Sequence, residues 1–387
     1  MNSLAKPVSK LPDVGTTIFT VMSALASEQG ALNLSQGFPD FDGPEALLQA
    51  VNAHMRSGQN QYPPMAGVAA LREAIAAKVS DLYELACNAD TEITVTAGAT
   101  EALFCAIAAV VHAGDEVIVL DPAYDSYDPV IRLQGAVPVH VPLLAPTYRI
   151  DWDRIDAAIT ANTRLLILNS PHNPTGMVMD ENDIAALSAL CAKYDIYLIG
   201  DEVYEHMVFD RARHLSLCRY AELYARSFVI SSFGKTYHVT GWKVGYCVAP
   251  PALTTEFRRV HQYVTFTVNT PVQLGIADFL RQYPQHHQQL PAFYQAKRDL
   301  FCELLQGSRF TLVPSQGTYF QLLGYHAISA ESDASLARRW TREQGIASIP
   351  ISVFYQNPEA SRHRALRFCF AKDDDTLAKA ADILCRL

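Results

Sequence analysis

Two lysines stand eight residues apart in "SSFGKTYHVTGWKVGY", residues 231–246, among glycines and small hydroxyls and just after the apolar run "FVI". A primary amine that can shed its proton attacks carbonyls, and a lysine does this when it is desolvated beside another cation. Lys235 and Lys243 can therefore divide two tasks, one reacting and the other holding an anion. The stretch also contains "GKT", which invites comparison with a nucleotide-phosphate loop. That loop needs a glycine five residues before Gly234, where this chain has Val229. It also needs a helix directly after GKT, whereas "YHVTGWKVGY" carries β-branched residues and glycines and soon returns to a strand pattern. The nucleotide reading is rejected.

Other polar residues follow apolar runs directly: Ala99 and Thr100 in "VTAGATEAL", Asn173 in "NSPHNPTG", Asp201 and Tyr204 in "GDEVY". Singly, each has an ordinary reading. Asp201 suits a helix cap or turn, and Asn-Pro followed by Gly is common turn chemistry. Thr100 opens a helix whose orphan N–H groups suit a phosphate, but every helix has such an end.

The elements around these residues decide whether they meet. From about residue 92, short β-branched runs ("EITVTAG", "DEVIVL", "VPVHVPL", "RLLILNS", "IYLIG", "FVISS", "GYCVAP") alternate with helical patterns, one of them at about 180–193. This order predicts an α/β fold with a mainly parallel sheet covered by helices on both faces. Ligands of such sheets collect beyond the carboxyl ends of the strands, where these polar residues fall. We assign residues 46–285 to this large cofactor-binding domain. Residues 1–45 and 286–387 are assigned to a smaller α+β domain with a helix near 291–306, the runs "FTLVP", "GTYFQLL" and "ALRFCFA", and a final helix after "KDDDT".

Composition narrows the partners. A chain of 387 residues exceeds the size at which one core usually stops growing, which fits two packed domains. The net charge of -9, without Lys/Arg runs, disfavours a nucleic-acid partner. Eight cysteines without a CxxC pair or a histidine at zinc-like spacing are expected to be reduced, with no metal site. The longest apolar run, "ALFCAIAAVV", is about half a membrane span, and the first residues lack an apolar signal-peptide core. We expect a cytoplasmic protein with no membrane partner.

Eight segments, "NLSQGFPDF", "NQYPPMAGVAALREAI", "VTAGATEAL", "DEVIVLDPAYDSY", "NSPHNPTG", "GDEVYEHMVF", "SSFGKTYHVTGWKVGY" and "ALRFCFAKD", occur in an order that resembles the fold-type-I pyridoxal-phosphate (PLP) aminotransferases of class I. The resemblance spans residues 15–385 and is nearest to the kynurenine aminotransferase and glutamine transaminase K group and to bacterial methionine aminotransferases. It implies that Lys235 forms a Schiff base with the cofactor and that Lys243 holds its phosphate. It further implies that Asp201 pairs with the pyridine nitrogen, that Tyr204 and Asn173 bond the ring oxygen, and that Tyr124 stacks on the ring. Ser232, Thr100 and the N–H groups of Ala99 and Thr100 complete the phosphate cradle; relatives often have Gly where this chain has Ala99. Tyr62 matches a tyrosine that reaches the phosphate of a neighbouring subunit, which implies a homodimer with shared sites.

In "RALRFCFA", a strand period of two places Leu366, Phe368 and Phe370 on one face and Arg367 on the other. An exposed strand arginine is the plain reading. The resemblance instead implies an α-carboxylate clamp, since a guanidinium fork binds a carboxylate through two parallel hydrogen bonds, assisted by Gly37 and Asn173. A distal carboxylate would need a second cation. The segments expected to build that pocket supply Phe19 and Phe266, with no arginine from His261 to Pro271. The expected activity is transfer of the amino group of a large neutral amino acid, such as methionine or an aromatic one, to a 2-oxo acid by a ping-pong mechanism. β-Elimination from cysteine conjugates on the same cofactor is the alternative.

Overall fold

A computed structural model describes residues 7–358 and 363–387. Its strands are β1 (Leu32–Asn33), β2 (Ile93–Thr96), β3 (Glu116–Asp121), β4 (Val137–Pro142), β5 (Thr163–Asn169), β6 (Tyr197–Asp201), β7 (Ser227–Ser232), β8 (Gly245–Val248), β9 (Phe320–Gly324), β10 (Ile346–Ala347), β11 (Ile349–Pro350) and β12 (Ala365–Cys369). Seven of them form one sheet in the order β2-β8-β7-β6-β5-β3-β4. The pairs β3–β4, β3–β5, β5–β6 and β6–β7 are parallel, and β8 runs antiparallel to both β7 and β2. The mainly parallel α/β architecture expected from the alternating pattern is present.

Strand alternation explains why the sheet is covered twice. Val117 and Val119 of β3 enter one apolar cluster with Leu165, Ile167 and Phe228, while Ile118 and Leu120 enter another with Leu166, Leu168 and Val229. A strand buried on both faces needs near-continuous apolar sequence, and "LLIL" in β5 and "FVI" in β7 supply it. The polar residues Asn169, Asp201 and Ser232 end β5, β6 and β7, so all three arrive at one rim of the sheet.

A second, antiparallel sheet has the order β11-β12-β9. Leu32 and Asn33 of β1 pair in parallel with Ile346 and Ala347 of β10, which brings the N-terminal segment onto the C-terminal part of the chain. Two details of this region go beyond the sequence pattern. "FTLVP" is not a strand: Thr311 makes an isolated bridge to Gly324, and Pro314 cannot donate to a ladder. The helix expected near 291–306 is His286–Leu304 and runs through Pro291, whose missing N–H leaves one helical bond unmade. Among the described residues, no helix is long and apolar enough to cross a membrane.

Candidate active site

At the rim, Asp201 is buried at the end of β6. Tyr127 donates its hydroxyl proton to Asp201 Oδ2 at 2.6 Å, and the Val203 N–H points at Oδ1 from 3.4 Å. Asn169 fixes the same turn: its Nδ2 donates to the Asp201 carbonyl at 2.8 Å and its Oδ1 accepts the Asn173 N–H at 2.8 Å. Burial pushes the Asp201 carboxyl up to about 6, against the pull of Tyr127 and the Val203 N–H. A carboxylate so placed is stabilised by any cation entering the cavity.

Lys235 lies on a single helical turn, Phe233–Thr236, that follows β7. Its Nζ donates to the Gly37 carbonyl at 3.0 Å and to the Tyr319 hydroxyl at 2.9 Å. Burial draws the amine down to about 8; the nearby charges of Arg367 and Lys243 act in the same direction, and Cys369 and Asp201 oppose them. Part of the population is therefore neutral and nucleophilic near physiological pH.

The anion-binding end is built by the helix Gly98–Val110. Gly98 has φ +73°, and no side chain caps the helix start. A Cβ at Gly98 would come within 3.3 Å of Lys243 Cε, so the bare glycine lets that ammonium lie against the helix N-terminus. A Cβ at Gly245 would fall 2.9 Å from the Ala99 nitrogen. Glycine there keeps β8 close to the same turn. Thr100, Ser232 and Lys243 line this end of the cavity. Behind it, Glu101 Oε1 meets His261 Nδ1 at 2.7 Å and accepts from Cys105 Sγ at 2.9 Å; His261 Nε2 meets the Met65 carbonyl at 3.1 Å.

Arg367 closes the other side. It is not an exposed strand residue, because β12 lies between β9 and β11 and is buried on both faces. Nη1 donates to Asn173 Oδ1 at 2.7 Å and Nη2 to the Ser35 carbonyl at 3.0 Å. The guanidinium carbon stands 3.8 Å from the centre of the Phe320 ring, with Phe19 at 5.2 Å and Phe354 at 5.6 Å. Arg367 Nε is buried without a partner among the described residues. Because Asn173 Oδ1 accepts from Arg367, its Nδ2 remains to donate into the cavity.

Phe19, Gly37, Ala99, Thr100, Tyr124, Asn173, Asp201, Tyr204, Ser232, Lys235, Lys243 and Arg367 thus converge on one cavity. Tyr62 and Phe266 do not line it. They are 83% and 46% exposed and meet edge to face at 5.5 Å outside the cavity. Phe266 lies outside this chain's cavity: the helix Pro251–Val264 ends just before it, and with φ +68° it stands beside Tyr62. Residues not singled out from the sequence also enter the site: Tyr127, Asn169, Tyr319, Phe320 and Phe354. The spacing Tyr124…Tyr127 and the first Asn of "NSPHN" were available signals, whereas Tyr319 looks like an ordinary core aromatic in "GTYFQLL".

The donor set fits pyridoxal phosphate: an amine near neutrality for the aldehyde, a buried carboxylate for the ring nitrogen, and an uncapped helix start beside Lys243 for the phosphate. The unpartnered Arg367 Nε and its fork fit the carboxylate of an amino acid. Comparison with known proteins agrees. The family model "Aminotransferase class I and II" matches residues 29–384. Methionine aminotransferase of Escherichia coli K12 is 52% identical over 381 residues, covering 98% of both chains. A probable N-succinyldiaminopimelate aminotransferase of Mycobacterium tuberculosis is 39% identical, covering 96% of both. The crystal structure of YbdL from Escherichia coli, a protein with a methionine aminotransferase function, superposes with a TM-score of 0.96 over 98% of this chain and 99% of that one, at 52% identity. The family match takes in every strand of the fold, and the chain belongs to the class I and II aminotransferases, the transaminases that work with pyridoxal phosphate.

Proposed function

We propose that this enzyme moves the amino group of a large uncharged amino acid, methionine or an aromatic one, to a 2-oxo acid by a ping-pong sequence in the cavity described above. One observation carries the substrate choice. The cations among the described cavity residues are Lys235, Lys243 and Arg367, and the remaining wall includes Phe19 and Phe320. Each cation has a task, so none is left to pair a distal carboxylate, which would be buried at high cost. The likeness to a methionine aminotransferase supports the same choice.

In this reading Lys243, Ser232, Thr100 and the N–H groups of Ala99 and Thr100 hold the phosphate. Asp201 faces the ring nitrogen and keeps it cationic, Tyr204 and Asn173 Nδ2 donate to the ring oxygen, and Tyr124 covers the ring. When bound, the cofactor offers an aldehyde that takes the amine covalently and a ring that accepts the electron pair left on the substrate Cα. Arg367, with Gly37 and Asn173, grips the α-carboxylate and so fixes which Cα bond points at Lys235. Lys235 removes the Cα proton as a base and returns it as an acid.

The exposed aromatics Tyr62, Tyr263 and Phe266, with Val264, form a surface that we assign to a second copy of the chain, Tyr62 reaching the partner's phosphate end and Phe266 going with it. The large unit at 46–285 and the small unit from 1–45 and 286–387 remain our division of the chain; pairing of β1 with β10 supports it. Eight free cysteines suit a reducing cytoplasm. The test is to mix the cofactor-loaded protein with single amino acids and follow its visible absorbance and the 2-oxo acid formed. Methionine and phenylalanine should react fastest; a preference for aspartate would overturn the substrate assignment. Lys235→Ala should retain weak cofactor binding and form no oxo acid.

A further inference from the structure

Among the described residues Lys235 Nζ has two hydrogen-bond partners, and both accept. One is the Gly37 carbonyl at 3.0 Å and the other is the Tyr319 hydroxyl at 2.9 Å. Tyr319 donates its own hydroxyl proton to the Gly37 carbonyl. A phenol has one hydrogen, and with that hydrogen on Gly37 its oxygen can only accept from the lysine. The ring cannot swing away, because it is fully buried among Tyr204 at 5.2 Å, Phe320 at 4.9 Å and Tyr294 at 5.7 Å. Burial raises the phenol well above its ordinary pKa, so it stays neutral while the amine titrates.

We infer that Tyr319 is a positioning residue for Lys235: with the Gly37 carbonyl it takes two of the amine hydrogens and aims the nitrogen lone pair into the cavity. The inference rests on the transaminase reading of this site. A neutral amine has two N–H bonds and one lone pair, so placing both hydrogens fixes the direction of the third tetrahedral position. When the substrate Cα–H bond breaks, its proton forms the new N–H bond along that direction. The resulting ammonium keeps its other two hydrogens on Gly37 and Tyr319. The transferred proton is therefore the one facing the substrate and the one returned, with no net gain or loss.

Tyr319→Phe removes the hydroxyl and keeps the ring. Tyr294→Phe is the control: its ring touches Tyr319, but its hydroxyl bonds His238 Nδ1 at 2.9 Å rather than the lysine. In the cofactor-free full chain, modification of Lys235 by an amine-directed acylating reagent is followed against pH by mass spectrometry. Wild type should show a midpoint of about 8, Tyr319→Phe a lower one because the ammonium loses an acceptor, and Tyr294→Phe no change. In the loaded enzyme with methionine, Tyr319→Phe should lower kcat by about 10–100-fold through misaimed proton transfer, with KM within about twofold. Its kinetic isotope effect with Cα-deuterated methionine should rise. An unshifted midpoint and isotope effect, or a Tyr294→Phe control that behaves like Tyr319→Phe, overturns the inference. Failure of wild type to form an oxo acid from any amino acid would refute the transaminase reading instead, and the modification experiment would still decide the role of Tyr319.

Discussion

The Tyr127 hydroxyl and Asp201 Oδ2 are 2.6 Å apart in a buried contact that leaves Oδ1 of the same carboxylate facing the cavity, touched only by a long Val203 N–H bond among the described residues. Burial pushes Asp201 up to about 6, and Tyr127 limits that rise. A protonated Asp201 cannot pair with a cationic ring nitrogen, so cofactor affinity should weaken as pH falls through about 6. Tyr127→Phe deletes a hydrogen bond to a charged group, and the break should move toward neutral pH. The cofactor Kd at pH 7 should rise about tenfold, equivalent to about 1.4 kcal/mol. Equilibrium dialysis across pH 5–8 reads both effects; a break that stays in place would mean that Tyr127 only packs.

Arg367→Lys keeps a positive charge but loses the fork that spans Asn173 Oδ1 and the Ser35 carbonyl. It also forfeits the stacking of a planar guanidinium on Phe320. The substrate α-carboxylate would then meet a point charge with no fixed direction. Steady-state assays should show the amino-donor KM raised about 10–100-fold. The affinity for the cofactor should hardly change, because Arg367 lies on the substrate side.

Asp201, Asn173 and Lys235 were legible because a parallel sheet delivers whatever follows its apolar strands to one rim, and their residue types suit an electron-sink cofactor. For Arg367, alternation in β12 gave the face but not the burial; that depends on Phe19, Phe320 and Phe354, which pack around the guanidinium from distant parts of the chain. Tyr319 and Gly37 were not legible as a pair. They are 282 residues apart in sequence, and their meeting with Lys235 is a product of tertiary packing that no local spacing encodes. Nor was the meeting of Phe266 with Tyr62 legible: it is a surface contact made where the chain around Gln61 accepts a 2.6 Å hydrogen bond from Thr270 Oγ1.

Lys235 should cost the cofactor-free protein stability. Its amine titrates at about 8 when folded, against 10.5 as the ordinary value. Between these limits the unfolded chain holds a proton that the folded chain has released, so stability climbs with pH across this window. The penalty is full below about 8 and gone above 10.5. Lys235→Met removes it. At pH 7 the cofactor-free variant should be more stable than wild type by up to about 2 kcal/mol, the full shift being discounted for partial exposure, and Tm should rise by about 2–3 °C. Thermal unfolding repeated toward pH 10.5 should bring the two proteins together; a constant difference would place its origin in packing instead.

Directly behind the catalytic segment, Lys78 Nζ donates to Glu205 Oε1 and to the Tyr246 hydroxyl, each at 2.7 Å, and Tyr83 and Ser231 also donate to Glu205. Glu205 follows Tyr204, and Ser231 precedes Ser232, so this pair ties the ends of β6 and β7 together beneath the cofactor residues. Burial alone would raise the Glu205 carboxyl, but Lys78, with His206 and the Ser231 hydrogen bond, outweighs it and holds the group well below the usual carboxylate range. Lys78→Met leaves that carboxylate buried without its cation and should destabilise the protein by about 3–5 kcal/mol in urea unfolding at fixed cofactor concentration. Adding Glu205→Leu removes the stranded charge and should restore at least half of the loss, since a well-packed apolar pair often equals a buried ion pair. Activity should not return with stability, because Tyr204 and Ser232 would have lost the polar strut that sets their positions. If the double variant recovers full kcat as well, the network serves folding and not the geometry of the site.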